Sequence, residues 1–244
     1  MTSIRVAEVL KPLRHQAPQQ RPRPFVERQD SDEPLCRALN VAVAAVGLVA
    51  AAPVMVVISL AIKLTSRGPI FYSQMRVGID RRAPGEPPGN SRRQADFGGR
   101  PFRIFKFRTM TATPTRDGAA EVWAKPDDPR VTALGRILRS YRLDELPQLM
   151  NVLLGDMNVV GPRPEQPTIF ARLRQEIERY NERQRVRPGI TGWAQINHHY
   201  DRSIDDVRRK VQLDLEYIGR RSVLEDVRIL VRTLPVMLGN RGGW

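Results

Sequence analysis

Asp144 and Glu145 are the residues in this sequence best suited to chemistry. They stand in Leu143-Asp144-Glu145-Leu146-Pro147, where the proline marks the first turn of a helix. Free N–H groups and the positive end of the helix dipole favour anions there. A carboxylate so placed is expected to keep a low pKa and stay charged, as a nucleophile or a metal ligand. Neighbours inside a regular helix point in different directions. The looser backbone of a helix start lets one carboxylate attack while the other holds a divalent cation. Spacing alone favours the plainer reading, a helix-capping pair. A hard cation such as Mg2+, with Mn2+ as a substitute, prefers carboxylates combined with substrate phosphates. Phosphates in turn need cations, and Lys106, Arg108, Arg139, Arg142 and Arg163 offer them. Lys106 and Arg108 fall on one face of a predicted strand. Arginine can grip a phosphate through two N–H groups, and lysine supplies a compact charge. Arg163 lies between Pro162 and Pro164, which fix its backbone direction. Taken singly, each of these cations reads as a solvated surface charge.

The elements that must carry these residues follow from periodicity and punctuation. Pro69 to Gly78 reads as a short strand ending in a turn. Phe102 to Arg108 alternates apolar and basic residues, the period of a half-exposed strand. The two form a β-hairpin whose tip is the Gly-, Pro- and Arg-rich loop 81–100. A polar loop spans 111–126. Asp127-Asp128-Pro129 starts a helix that runs to about Tyr141. A second helix starts at Leu143 and closes at Gly155. Met157 to Val160 is a short strand, and Gly161-Pro162-Arg163-Pro164 a rigid turn. Thr168 to about Gln184 is predicted as one charged helix, and Arg187 to Trp193 as a loop. Two helices close the chain. The last starts with a capping box, Ser222 to Glu225, and is amphipathic, with Val223, Leu224, Val227, Leu230, Val231 and Leu234 at helical spacing. His198 and His199 lack metal-ligand spacing and are read as loop residues. Trp193 reads as a core residue.

Upstream of all this lies Val41 to Ile62, an uncharged apolar run with Pro53 near its middle. As a straight helix it is about 33 Å long, close to a bilayer core of about 30 Å. Both flanks are basic, and short basic flanks stay cytoplasmic. A single span would export one of them, whereas a re-entrant helix keeps both inside. Proline removes a donor and clashes with the carbonyl four residues back, so Pro53 is expected to break the helix and return it to its leaflet of origin. The competing readings are a proline-kinked single span and a buried helix of a soluble protein. A cleaved signal peptide fits poorly, because the run starts late and lacks a cleavage site.

The sequence has 244 residues and a net charge of +14. That length suffices for a membrane element and one domain with a core. The charge points to an anionic partner. With aromatics at 6% there is little for bases to stack on, so no nucleic acid is expected and the anions are lipid headgroups and phosphates. The single cysteine, Cys36, excludes an internal disulfide and a thiolate zinc site, and reads as a small buried apolar residue. The organisation is a disordered cytoplasmic arm over 1–34, a membrane helix over 35–66 and a cytoplasmic catalytic domain over 67–244. The fold class is α/β, mostly helical with a small β-hairpin.

Four strings together, GPIFYSQMRVG, FRIFKFRTM, DPRVTALGRILRSYRLDELPQLMNVLLGDMNVVGPRPE and RPGITGWAQIN, resemble the bacterial sugar transferase family, the monotopic polyprenyl-phosphate hexose-1-phosphate transferases. The resemblance runs from about Cys36 to the C-terminus. It implies transfer of a hexose-1-phosphate from a UDP-sugar to undecaprenyl phosphate, with release of UMP, at the bacterial inner membrane, as the first step of exopolysaccharide or O-antigen assembly. It also implies that Asp144 is the nucleophile of a covalent phosphosugar intermediate and that Glu145 assists it and helps hold Mg2+. Lys106, Arg108, Arg142, Arg163 and Glu165 are implied on the donor phosphates and nucleotide. Family members often carry Ser-Pro at the helix break, where this chain has Ala52-Pro53; they have a shorter loop in place of 81–100, and minimal members lack the N-terminal arm. The several N-terminal transmembrane helices of larger members are expected to be absent. A basic membrane-anchored adaptor would account for the charge and the anchor, but not for the DELPQL and GPRPE strings.

Overall fold

The computed structural model describes residues 33–80, 98–111, 128–198 and 203–238. The N-terminal arm, most of the hairpin loop, residues 112–127 and His199 lie outside the described residues.

The apolar run forms helix α1, Glu33–Thr65. Its Ala, Val, Leu and Ile residues have no polar side-chain groups to compete with the helical backbone hydrogen bonds. Pro53 sits inside α1, and the helix continues through it rather than opening into a gap. A proline costs one donor and one carbonyl contact, and a long apolar helix absorbs that loss. The expected break is therefore a proline carried within a continuous helix.

Both ends of α1 pack on the same body. Near its start, Cys36, Asn40 and Ala44 are buried, and Ala44 joins Phe102, Ile104, Val152, Met157 and Val159. Near its end, Ile58 and Ile62 pack with Phe107 and Leu138. Between and beside these footholds the helix is bare: Val46, Val49, Val54, Val56, Val57, Leu60 and Leu64 are all exposed.

The hairpin is present as predicted, with β1 (Phe71–Val77) antiparallel to β2 (Pro101–Phe107) and Tyr72 opposite Lys106. The next helix is shorter than expected. Helix α2 covers only Ala133–Ser140, because Thr132 is the cap and its hydroxyl accepts from Gly135 N at 2.9 Å. Asp128 instead receives Arg130. The predicted helix from Leu143 to Gly155 is two pieces, a 3-10 turn over Leu143–Glu145 and helix α3 over Gln148–Leu153. Proline at 147 cannot donate, so the two do not merge.

Strand β3 (Asn158–Val160) pairs in parallel with β4 (Gly189–Thr191), which stands where a loop was predicted. The crossover between them holds α4 (Pro167–Glu176) and a second 3-10 segment, Tyr180–Arg185. The single predicted helix divides there: the chain turns extended at Ile177, and Arg179, left-handed at φ 63°, starts the 3-10 segment. Gly161 and Gly189 let β4 approach the turn after β3: a Cβ on Gly189 would lie 2.1 Å from Gly161 N. Helices α5 (Trp193–Asn197), α6 (Ile204–Arg220) and α7 (Val223–Leu238) complete the domain. Tyr217 of α6 and Ile229 of α7 close on Val160 and Val186. Of the apolar stripe of α7, Leu230 packs against that core, while Leu224, Val227, Val231 and Leu234 are exposed. Trp193 is only partly buried, with the guanidinium carbons of Arg220 and Arg232 at 4.2 and 5.6 Å from its ring centre.

Candidate active site

The turn bearing Asp144 and Glu145 is held from three sides. Leu143 and Leu146 flank the pair and pack against the Ile58, Ile62, Phe107 and Leu138 cluster, so the far end of α1 is part of the wall. Before the turn, Arg142 adopts φ 55° and ψ 20°, a left-handed conformation uncommon for a residue with a side chain. It reverses the chain between α2 and the 3-10 turn. On the other side, α3 is locked to β2 by Asn151. This fully buried amide accepts from Phe105 N at 3.0 Å and donates to Arg103 O at 2.7 Å. A side chain thus completes the free edge of β2, and Lys106 is brought against the acidic turn.

Glu145 is the centre of an ion cluster. Lys106 Nζ lies 2.8 Å and Arg163 Nη2 2.7 Å from its Oε1, and Arg142 Nη1 lies 3.8 Å from its Oε2. Burial opposes ionisation of Glu145, but Arg163 and Lys106 outweigh it and hold the carboxyl well below the usual range. Asp144 is equally buried and has the opposite character. Its carboxylate makes no hydrogen bond among the described residues. Burial first, then the charge of Glu145, push it up to about 6, against the pull of Lys106, Arg139 and Arg163. This reverses the low pKa expected of a helix start, because a 3-10 turn of three residues offers almost no dipole. The pair is not a capping pair. Neither carboxylate caps α3, whose start is Pro147.

Of the predicted cations, Lys106, Arg142 and Arg163 converge on the turn. Arg163 Nη1 also reaches Gln195 Oε1 at 3.3 Å. Arg108 points the other way. Its guanidinium donates to Ser66 O, Ser66 Oγ and Arg67 O at 2.8–2.9 Å, tying β2 to the end of α1. Glu165 is a short step from Arg163 but faces a second cluster, with Lys210 Nζ at 2.8 Å and Arg183 Nη1 at 3.9 Å. Burial works against its ionisation, yet Lys210 and Arg183 hold its pKa at about 2.

Sequence reasoning missed Asn151, Asn40, Arg183, Lys210 and Asp214. Asn40 is buried in α1. Its amide donates to Asp226 Oδ2 at 2.9 Å, and its oxygen accepts from Val159 N and Val160 N at 2.7 and 3.0 Å. A lone polar residue at the rim of an apolar run was the available signal. Arg183 and Asp214 sit in charged helical stretches, where nothing local separates them from surface residues.

The described residues contain no group of three or more His, Cys, Asp or Glu side chains arranged for a metal. Two adjacent carboxylates are nevertheless a fitting donor set for Mg2+, which keeps several waters and takes substrate phosphates as its remaining ligands.

An apolar helix is thus fastened at both ends to a small domain that carries a buried carboxylate pair among lysine and arginine side chains. The bacterial sugar transferase family model matches residues 31–240, and the chain belongs to that family. An undecaprenyl-phosphate glucose phosphotransferase of Komagataeibacter xylinus is 41% identical over 213 residues, covering 85% of this chain and 36% of the relative. A UDP-N-acetylgalactosamine-undecaprenyl-phosphate N-acetylgalactosaminephosphotransferase of Aeromonas hydrophila is 39% identical over 206 residues, covering 84% and 44%. A UDP-glucose:undecaprenyl-phosphate glucose-1-phosphate transferase of Caulobacter vibrioides is 38% identical over 204 residues, covering 83% and 69%. The chain thus spans less than half the length of the first two relatives.

Proposed function

We propose that the protein is an enzyme that transfers a hexose-1-phosphate from a UDP-sugar to undecaprenyl phosphate and releases UMP, at the cytoplasmic face of the bacterial inner membrane. The observation that carries this reading is the division of labour in the acidic pair: Glu145 is gripped by Lys106 and Arg163 through one oxygen, while Asp144, beside it, is buried without a hydrogen-bond partner among the described residues. A carboxylate with few competing partners is an available nucleophile. Its oxygen attacks the sugar-bearing phosphorus of the donor, the bond to the bridging oxygen breaks, and UMP leaves with that electron pair. A phosphate oxygen of the acceptor then attacks the same phosphorus, and the aspartate leaves as a carboxylate. Two steps spare the direct encounter of two anionic substrates. Lys106 and Arg163, now on Glu145, are placed to exchange onto the donor diphosphate. Asp144 and Glu145 would hold Mg2+, which supplies charge neutralisation for the diphosphate and the departing UMP. The first sugar of an exopolysaccharide or O-antigen chain is a product of this type.

A re-entrant α1 that bends at Pro53 while staying helical would account for its double attachment. Glu33 at its start is bonded to Arg187 and Arg221, and Ser66 just past its end to Arg108. A helix spanning a bilayer would place these ends on opposite sides of it, about 30 Å apart. The exposed valines and leucines of α1, with Ile137, Met150, Leu154 and the exposed residues of the α7 stripe, are suited to the apolar part of an anionic membrane surface.

The test is UMP release by the membrane-embedded protein from a panel of UDP-sugars, with and without undecaprenyl phosphate. One UDP-sugar should support sustained, acceptor-dependent release that EDTA abolishes and Mg2+ restores. Without acceptor, donor labelled in the sugar phosphate should mark the protein. Release with no labelled protein would leave direct attack by the acceptor, with Asp144 as a metal ligand only. No release from any donor would favour the adaptor. For topology, cysteines at positions 3 and 240, with Cys36 replaced, should both resist an impermeant reagent in intact cells; labelling at 3 alone would show a spanning helix.

A further inference from the structure

Arg163 reaches Glu145 from a turn, Gly161 to Glu165, that belongs to no helix or strand. Something else must keep it in place. Three successive carbonyls of this turn are held. Arg163 O accepts from Arg183 Nη2 at 3.0 Å, Pro164 O from Arg76 Nη1 at 3.3 Å, and Glu165 O from Val77 N at 2.9 Å. Among these donors Arg183 is distinctive. Its side chain is 1% exposed, an unusual place for a guanidinium, and all its bonds are to one purpose. Its Nε meets Asp214 Oδ2 of α6 at 2.7 Å, and its Nη1 meets Tyr180 Oη at 3.0 Å, with the guanidinium carbon 5.1 Å from the Tyr180 ring centre. With those contacts fixing its plane, Nη2 can point only at the Arg163 carbonyl. Lys210, one turn of α6 before Asp214, fastens the same turn through the Glu165 carboxylate at 2.8 Å.

We propose that Arg183 is a positioning residue for Arg163. Braced by Asp214 and Tyr180, it fixes the 163–165 backbone so that the Arg163 guanidinium stands ready for the donor diphosphate, and Glu165 with Lys210 is a second fastening of the same turn rather than a contact to the nucleotide. This rests on the reading that Arg163 grips the donor. A buried ion pair is a poor source of net stability, because desolvation offsets the attraction. A rigid fork that orients one carbonyl is a better account of why arginine stands here, since lysine's three donors radiate from a single nitrogen and cannot span these three partners.

The experiment is a double-mutant cycle in the full chain, embedded in membrane, with UMP release measured against donor concentration. Arg163→Ala should raise the donor KM by about tenfold or more, and Arg183→Lys by about threefold to tenfold, with a smaller change in kcat. In the Arg163→Ala background, Arg183→Lys should add almost nothing to KM, because its effect passes through the side chain already removed. Discharge of the labelled protein onto acceptor should be unchanged in Arg183→Lys. If the two changes multiply, or if Arg183→Lys lowers only the amount of active protein, the positioning role is overturned. If Arg183→Lys does not fold, Lys210→Met loosens only the Glu165 fastening. It should raise the donor KM by about twofold to threefold, again not additively with Arg163→Ala, and an unchanged KM would sink the proposal. An unchanged donor KM in Arg163→Ala alone would instead remove the reading beneath it, that Arg163 grips the donor.

Discussion

Two carboxylates in this protein, the buried Glu145 and the half-buried Glu165, are each gripped by an arginine and a lysine, and they differ in what surrounds the grip. Around Glu145 the cations are partly open, with side-chain exposures of 19% for Lys106 and 35% for Arg163. Around Glu165 they are closed, at 12% for Lys210 and 1% for Arg183. The open cluster also holds a second carboxylate, Asp144, with no hydrogen bond of its own among the described residues, whereas the second carboxylate of the closed cluster, Asp214, is fully engaged with Arg183. The same residue types thus make a cluster that can trade partners and one that cannot. On the proposed function, the accessible cations pass from Glu145 to the donor diphosphate, and the sealed guanidinium holds a shape.

The largest effect should come from the carboxylate unique to the open cluster. Asp144→Asn keeps the size and removes the attacking charge, so turnover should fall by at least about 10³-fold, equivalent to roughly 4 kcal/mol or more. The rate of UMP release measures this, and activity within about tenfold of wild type would eliminate the covalent step. Next, Lys106→Met removes an open-cluster cation and should lower kcat/KM for the donor by about 10²-fold, far more than Lys210→Met in the closed cluster. Comparable losses would show that the two clusters are not functionally distinct.

A smaller effect has the opposite sign. The folded pKa of Asp144, about 6, lies above its ordinary 3.8, so folding favours the protonated form. Its ionisation therefore costs the folded state progressively as pH rises from about 4 through 6, and fully above that. Without metal, Asp144→Asn should be more stable than wild type at neutral pH by about 1–3 kcal/mol, and the difference should close toward pH 4. Thermal melts in EDTA across that range test it. A gap independent of pH would trace the change to packing instead. The smallest effect belongs to neither cluster: Asp205→Ala breaks an exposed pair with Arg208 and caps nothing by its own side chain, so stability should move by less than about 0.5 kcal/mol.

What could be read from the sequence, and what could not, divides along a physical line. The hairpin was legible because alternation is a period-two property of seven residues. The acidic turn and its cations were legible by residue type, and the family by the order of four strings. The apolar run was legible in length, but the proline did not interrupt it, since a long apolar helix absorbs the loss of one donor. Strand β4 was hidden. Its three residues are too few for a period, and only pairing with β3, across a crossover that the sequence presents as one long helix, makes them a strand. The contacts of Arg108, Glu165 and Arg183 were hidden for a related reason. An arginine looks the same whether it waits for a phosphate or props a carbonyl, and only the partner brought by the fold distinguishes the two.

Asn151 has a consequence beyond joining α3 to β2. A two-stranded ribbon has bare edges, and a bare edge is a template on which another chain can add a strand. At residues 103 and 105 that template is already taken by an amide, which copies one peptide unit of a neighbouring strand and then stops. A real strand would present the next edge outward and invite a further copy, while a side chain ends the series. That full stop keeps this edge of the ribbon from offering residues 103 and 105 as a template, and so guards the lysine-bearing strand against self-templating.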